Sequence, residues 1–350
     1  MHTQPTRLAF LDGIRGVCAL YVVVCHSYTF THGAVFDAND PAIAFSDGHF
    51  AVDVFLIVSG YGLGLSALKH GMNQSRFFAR RARRILPPYY AALAIALALI
   101  WLQFKTAGID WVPDPKQLLA NLLLLNDLYP DLNASFPFWS VAVEWRLYFL
   151  FPLLVFVFKR WGTAALFACA AVLAVLMQAA IATLFPHLAL DGSCPWYVVL
   201  LAMGLWGAYC QPDRLLAKLM LIGSTGLVVA GFGTHAGVVF CDLAVGGFAV
   251  SAIAWLRYHP KTVLSSSLLV FVGSWSYSLY LSHVTTLYVV AAISKHWHWP
   301  PLAIFWLGIV TAVVAAYGFY GLFERPFQVR SMKNSSFGLT QIGKPRSESL

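Results

Sequence analysis

Three ionisable side chains lie inside the first hydrophobic run of the chain, LAFLDGIRGVCALYVVVCHSYTF: Asp12, Arg15 and His26. A helix turns about 100° and rises about 1.5 Å per residue. The eleven steps from Arg15 therefore bring His26 back to within roughly 20° of it, about 16 Å further along. Asp12, one turn before Arg15, shares that face. An imidazole is the side chain best suited to act as a general base near neutral pH. A guanidinium is a planar fork that matches phosphate or carboxylate oxygens. Side chains of this kind inside an apolar helix face a bundle interior or a polar path, because lipid penalises them.

Further along, the run RFFARRARRILPPYY (76–90) places Arg80, Arg81, Arg83 and Arg84 just before Pro87 and Pro88. Two readings of it stand: an anchor for lipid headgroups, or a clamp for a phosphate-bearing ligand. Glu144 lies in FPFWSVAVEWRLYFLFPLL (136–154), as a polar tether or a catalytic partner. Ser276, Tyr277, Tyr280 and His283 lie close together near the C-terminal end. The glycines of SGYGLG (59–64) suit close helix packing. They are not a nucleotide fingerprint, since no strand precedes them. The six cysteines are scattered through apolar sequence without metal-ligand spacing, so the sequence gives no metal site.

The elements that must position these groups are membrane helices. Only 11% of the 350 residues are charged, against about 25% in a soluble domain. Hydropathy divides the chain into ten spans: 8–30, 50–69, 86–104, 138–158, 163–185, 194–210, 215–233, 236–256, 268–294 and 301–323. The fold class is all-α and polytopic. With the N-terminus inside, eighteen of the 23 basic residues fall in inner segments, and the outer loops hold only Lys105, Lys116 and Lys295. That asymmetry predicts both termini on the cytoplasmic side. It also makes the net charge of +8 topological, so no nucleic-acid partner is implied. The bilayer is the partner that the composition does imply. The two longer outer loops, 31–49 and 105–137, are acidic, and they either face a sugar or are merely solvated. Within the second, QLLANLLLL (117–125) is too short to span and reads as an interfacial or re-entrant helix. Residues 1–327 form one membrane domain, and the polar segment 328–350 reads as a disordered cytoplasmic tail.

On this topology His26 and Asp53 lie at similar depth near the outer ends of consecutive spans. A carboxylate there would orient the imidazole. Glu144 lies a little deeper, and His283 lies in the outer half of the ninth span. Depth makes a meeting of these four groups possible without showing contact.

Several stretches taken together resemble the acyltransferase type 3 family of bacterial inner-membrane proteins that O-acylate glycans. They are LDGIRGVCALYVVVCH (11–26), FAVDVFLIVSGYGLG (50–64), RRARRILPPYY (80–90), FWSVAVEWRLYFLFPLL (138–154), GSWSYSLYLSH (273–283) and FERPF (323–327). The resemblance runs from Arg7 to Phe327 and looks like the stand-alone subtype, without an appended hydrolase-like domain. It implies ten helices and an acyl-CoA donor, most often acetyl-CoA, as substrate with no permanently bound cofactor. It implies a glycan or lipid-linked glycan acceptor. Carried onto this chain, it makes His26 the base and Arg15, Arg81 and Arg84 donor-binding. Arg80 stands beside them because the extra arginines leave the functional pair open. Glu144, Ser276, Tyr277 and His283 lie in family motifs, and a tyrosine or serine there would serve an oxyanion. The competing reading is a transporter or flippase for a glycan or lipid-linked precursor. It would call for an inverted repeat or paired broken helices, which the sequence does not show. A non-catalytic scaffold would leave Arg15, His26 and the arginine run without a role. Acceptor identity, acyl length, direct transfer against a route through acyl-His26, and oligomeric state are not written in the sequence.

Overall fold

The computed structural model describes residues 8–33, 48–128, 137–184, 193–234 and 236–328. Much of the outer loop 31–49, part of the loop 105–137 and the tail beyond Gln328 lie outside the described residues. Among the described residues the secondary structure is entirely helical. Seven helices are long and apolar enough to cross a bilayer. They are α1 (Ala9–His32), α2 (His49–His70), α3 (Gln74–Thr106), α5 (Phe138–Leu184), α7 (Arg214–Gly233), α8 (Val238–Leu256) and α11 (Pro301–Phe319). Between them lie the short α4 (Pro115–Leu122), the 14-residue α6 (Tyr197–Cys210), α9 (Ser267–Ser274) and α10 (Ser276–Trp297). The protein is an all-α, multi-pass membrane protein.

Local chemistry explains where several elements start and bend. Asn73 caps α3 by accepting from the Arg76 amide at 2.9 Å, and Asp213 caps α7 through Leu216 at 2.8 Å. α5 is 47 residues long, about 70 Å at 1.5 Å per residue, more than twice a bilayer core. It turns back at Gly162, whose φ of +81° suits glycine alone. The two spans expected at 138–158 and 163–185 are its two arms.

Two expectations need correction. Pro87 and Pro88 do not open the third span. They sit inside α3, which already runs helically through all the arginines. Each removes one i→i−4 bond, and a helix in a membrane bundle tolerates that where neighbouring groups re-satisfy the freed carbonyl. The ninth span is also not continuous. The chain breaks at Trp275, 2% exposed, whose φ/ψ of −126°/21° separates α9 from α10.

Packing is closest where side chains vanish. A methyl added at Gly16 would lie 2.4 Å from the Leu269 carbonyl oxygen, and one at Gly273 would lie 1.7 Å from that of Asp12. α1 and α9 are thus joined backbone to backbone. α2 and α6 meet in the same way through Gly60 and Gly204, whose methyls would fall 2.4 and 2.3 Å from carbonyl oxygens of the facing helix. Conversely, Val175 and Leu176 on the second arm of α5, Ile222 on α7 and Val314 on α11 stand largely exposed, as lipid-facing side chains do.

Candidate active site

A cavity of about 220 Å³ lies between α1, α2, α3, α5 and the start of α10. Helical phase decides which residues reach it. On α3, Arg81 and Arg84 are half-buried and line the cavity, whereas Arg80 and Arg83 are exposed. Phe77, Arg81, Arg84, Ile85 and Pro88 follow one inward stripe, and Arg80, about 100° round from Arg81, falls outside it. Arg80, expected beside Arg81 and Arg84, therefore does not line the cavity. Arg15 contributes a third guanidinium from α1, held by Asp12 at 3.2 Å. The Arg81 guanidinium stands 5.9 Å from the Tyr148 ring centroid, and its buried Nε has no hydrogen-bond partner.

On α5, Ser140, Glu144 and Tyr148 recur every four residues and line one wall. Glu144 accepts from Ser59 at 3.1 Å and, in a short hydrogen bond, from Tyr148. Ser59 and Tyr148 are themselves 2.8 Å apart. Glu144 is thus a wall of the arginine cavity and not a neighbour of His26. With Asp12 paired to Arg15, three guanidiniums face two carboxylates, and the lining keeps an excess of positive charge that suits an anionic ligand. Tyr277 also lines it, but its hydroxyl donates to the Ile85 carbonyl at 3.1 Å. Tyr277 thus has its proton committed to the backbone instead of being free for an oxyanion, and Ser276 likewise donates to Gly273 at 3.0 Å.

The histidines lie beyond the cavity. Nδ1 of His26 is 2.8 Å from Nε2 of His283, and their rings are within 2° of parallel. Nδ1 of His283 faces two carbonyls, Leu279 at 3.1 Å and Tyr280 at 2.8 Å. Carbonyls only accept, so the His283 proton is on Nδ1. In the neutral pair its Nε2 then accepts from Nδ1–H of His26. The lone pair of His26 falls on Nε2, which faces Gly48 at the start of α2; a methyl there would be 3.7 Å away. Backbone carbonyls thus fix both tautomers, and His26 is left as a base at a defined atom. Between cavity and histidines stands Tyr280, hydrogen-bonded to Ser140 at 2.6 Å and with its ring centroid 5.8 Å from that of His283.

Asp53 does not orient His26. The α2 face that lines the cavity is Val52, Phe55, Leu56, Ser59 and Gly62. Asp53 belongs to the other face, with Gly60 against α6, and lies with His49 and Asp242. Depth was matched but rotation about the helix was not, so His283 takes the place expected of Asp53.

Four structural residues around the site escaped the sequence reading. Asp127 receives a bidentate pair from Arg146, one arm at 2.5 Å, tying the 123–128 segment to α5. Tyr89 and Tyr90 donate to the carbonyls of Asn121 and Leu122 at 2.9 and 2.8 Å, holding the end of α4. Glu324, in FERPF, is 1% exposed and accepts from the Ser278 amide at 3.1 Å and from its hydroxyl. It caps the first turn of α10 after the break at Trp275. A glutamate beside an apolar span is the signal that could have found it.

The bundle with inward-facing arginines and a backbone-oriented histidine pair defines a membrane enzyme of the group-transfer kind. Residues 8–321 match the family model described as an acyltransferase domain, type 3, and the chain belongs to that family. It is 27% identical to acyltransferase MdmB of Streptomyces mycarofaciens, over 81% of this chain and 80% of that one. It is 24% identical to the exopolysaccharide production protein ExoZ of Rhizobium meliloti, over 81% and 90% of the two. It is also 22% identical to the O-acetyltransferase OatA of Staphylococcus aureus, over 95% of this chain and 59% of that protein. No solved structure matches. The protein is a multi-pass membrane acyltransferase.

Proposed function

We propose that the protein transfers an acetyl group from acetyl-CoA to a hydroxyl of a surface or secreted glycan, at the bacterial inner membrane, with both termini cytoplasmic. The observation that carries this reading is the positive cavity ending one side chain short of a base of fixed tautomer. Its roughly 220 Å³ falls below the ~300–1,000 Å³ of sites for whole drug-sized ligands. It suits a pantetheine arm, with the nucleotide phosphates at Arg81, Arg84 and Arg15 near the mouth. The thioester end of such an arm meets Ser140 and Tyr280, and passing Tyr280 brings it to His26.

Nε2 of His26 takes the acceptor hydroxyl proton as the oxygen attacks the thioester carbonyl. The new C–O ester bond forms, the C–S bond breaks, and the departing thiolate takes the proton back from His26. Transfer is direct, without an acyl-histidine. Two relatives' names support the reading by analogy: exopolysaccharide production protein, for ExoZ, supports a glycan acceptor, and O-acetyltransferase, for OatA, supports acetyl as the group moved.

Titration of the purified protein in detergent with acetyl-CoA tests the reading. Saturable binding that weakens in Arg81→Ala, together with release of coenzyme A that disappears in His26→Ala, is the expected result. Absence of saturable binding by any acyl-CoA overturns the donor assignment and favours the transporter reading.

A further inference from the structure

The opposite face of α2 carries a second polar cluster that acyl transfer does not use. His49 and Asp53 lie four residues apart on α2, one turn from each other on the same face, and Asp242 faces them from α8. One ligand atom from each of the three lies within 4.8 Å of the other two. Nε2 of His49 is 3.0 Å from Oδ1 of Asp242, and Nε1 of Trp196 donates to Oδ2 at 2.8 Å. Both aspartates are 0% exposed, while the His49 side chain is 27% exposed and forms the open edge.

Asp53 is the unusual member. Neither of its carboxylate oxygens meets a donor in good hydrogen-bond geometry, although the Tyr197 hydroxyl and the Asp242 carboxyl lie beside it. Two carboxylates buried face to face, one of them unsatisfied, are strongly unfavourable unless a positive charge lies between them. The His49–Asp242 contact compensates Asp242 and leaves Asp53 unmet.

We infer that His49, Asp53 and Asp242 form a binding site for a divalent cation. Two carboxylate oxygens and one imidazole nitrogen suit a first-row ion such as Mn²⁺ or Zn²⁺. Ca²⁺ prefers six to eight oxygens. The i, i+4 pair on one helix face is the same device that places two ligands on a metal in helical zinc sites. The Trp196 indole orients Asp242, as an outer hydrogen bond does for a ligating carboxylate. A cation there ties the start of α2 to α8. Gly48, immediately before His49, is the backbone that faces Nε2 of His26. The ion would hold the wall beside the base and position it without touching the reaction.

The test uses the full chain in detergent, stripped with EDTA and titrated with MnCl₂ by electron paramagnetic resonance, with ZnCl₂ as competitor and metal content measured afterwards. One equivalent per chain is expected, with nitrogen coupling from His49 on the Mn²⁺ signal and a melting midpoint raised by the metal. Asp53→Asn and Asp242→Asn should weaken binding by roughly tenfold or more, and His26→Ala should bind as wild type does. Should the aspartate variants fail to fold, His49→Ala, at the exposed edge, should lose the nitrogen coupling and weaken binding. Less than one equivalent of either metal on the wild type, or unchanged binding by Asp53→Asn or His49→Ala, overturns the inference and leaves Asp53 holding a proton instead. The readout is metal binding, so it stands apart from the donor and acceptor assignments.

Discussion

The arginine cavity and the histidine pair are both built on α1 and α10, yet they use hydrogen bonds in opposite ways. His283 spends Nδ1 on two backbone carbonyls and Nε2 on His26. Nothing in that pair is free to choose its tautomer. In the cavity, Arg81 keeps an unpartnered Nε, and Arg84 lines the wall beside it. One region is committed before any ligand arrives, and the other holds donors in reserve. A base must present a lone pair at a fixed atom, whereas a binding site gains from donors that only the ligand satisfies.

This contrast breaks most sharply at His26. His26→Ala should lower kcat by about 10²–10⁴-fold while acetyl-CoA binding in equilibrium titration stays within a factor of two or so. A parallel loss of donor binding would merge the two regions into one. His283→Ala should lower kcat by roughly 10–10²-fold with little change in donor KM. His283→Gln, whose side-chain carbonyl can accept from Nδ1 of His26, should recover part of that loss. Equal rates for the Ala and Gln variants would show that His283 acts only by filling space. Arg84→Ala should raise the donor dissociation constant by about 10–100-fold, the worth of a charged hydrogen bond to phosphate. Arg80→Ala, outside the cavity, should shift it by less than about threefold. Comparable losses at both positions would restore the lipid-anchor reading of the arginine run. The smallest effect on chemistry belongs to Glu324→Ala. It leaves the buried start of α10 uncapped and should lower stability by about 1–3 kcal/mol, read as a reduced melting midpoint with donor binding retained.

Hydropathy alone showed the helices, because apolar runs of membrane length have few other uses. It also showed the reversal near Gly162, where Lys159 and Arg160 interrupt the apolar pattern. The glycines of 59–64 were legible as packing residues, and Gly60 does meet α6. Rotation about each helix axis was not legible. Asp53 and His26 share a depth, but facing is set by neighbours far along the chain, so Asp53 turned to Asp242. For the same reason the sequence could not sort Arg81 and Arg84 from Arg80. The break at Trp275 was hidden because its small neighbours, Gly273, Ser274 and Ser276, bring no charge or proline to interrupt the span. The pairing of His26 with His283 was suggested by depth but could be joined only by the fold.

The link between His26 and His283 spans 257 positions of sequence, and the cap on the helix that bears His283 comes from Glu324, later still. A ribosome adding ~5–20 residues per second needs roughly 15–50 s to travel from one histidine to the other. During that interval the first helix is already made, and its base has no partner to fix its proton. A chain released before residue 283 therefore carries α1 and the arginines of α3 but lacks the histidine that pairs with His26.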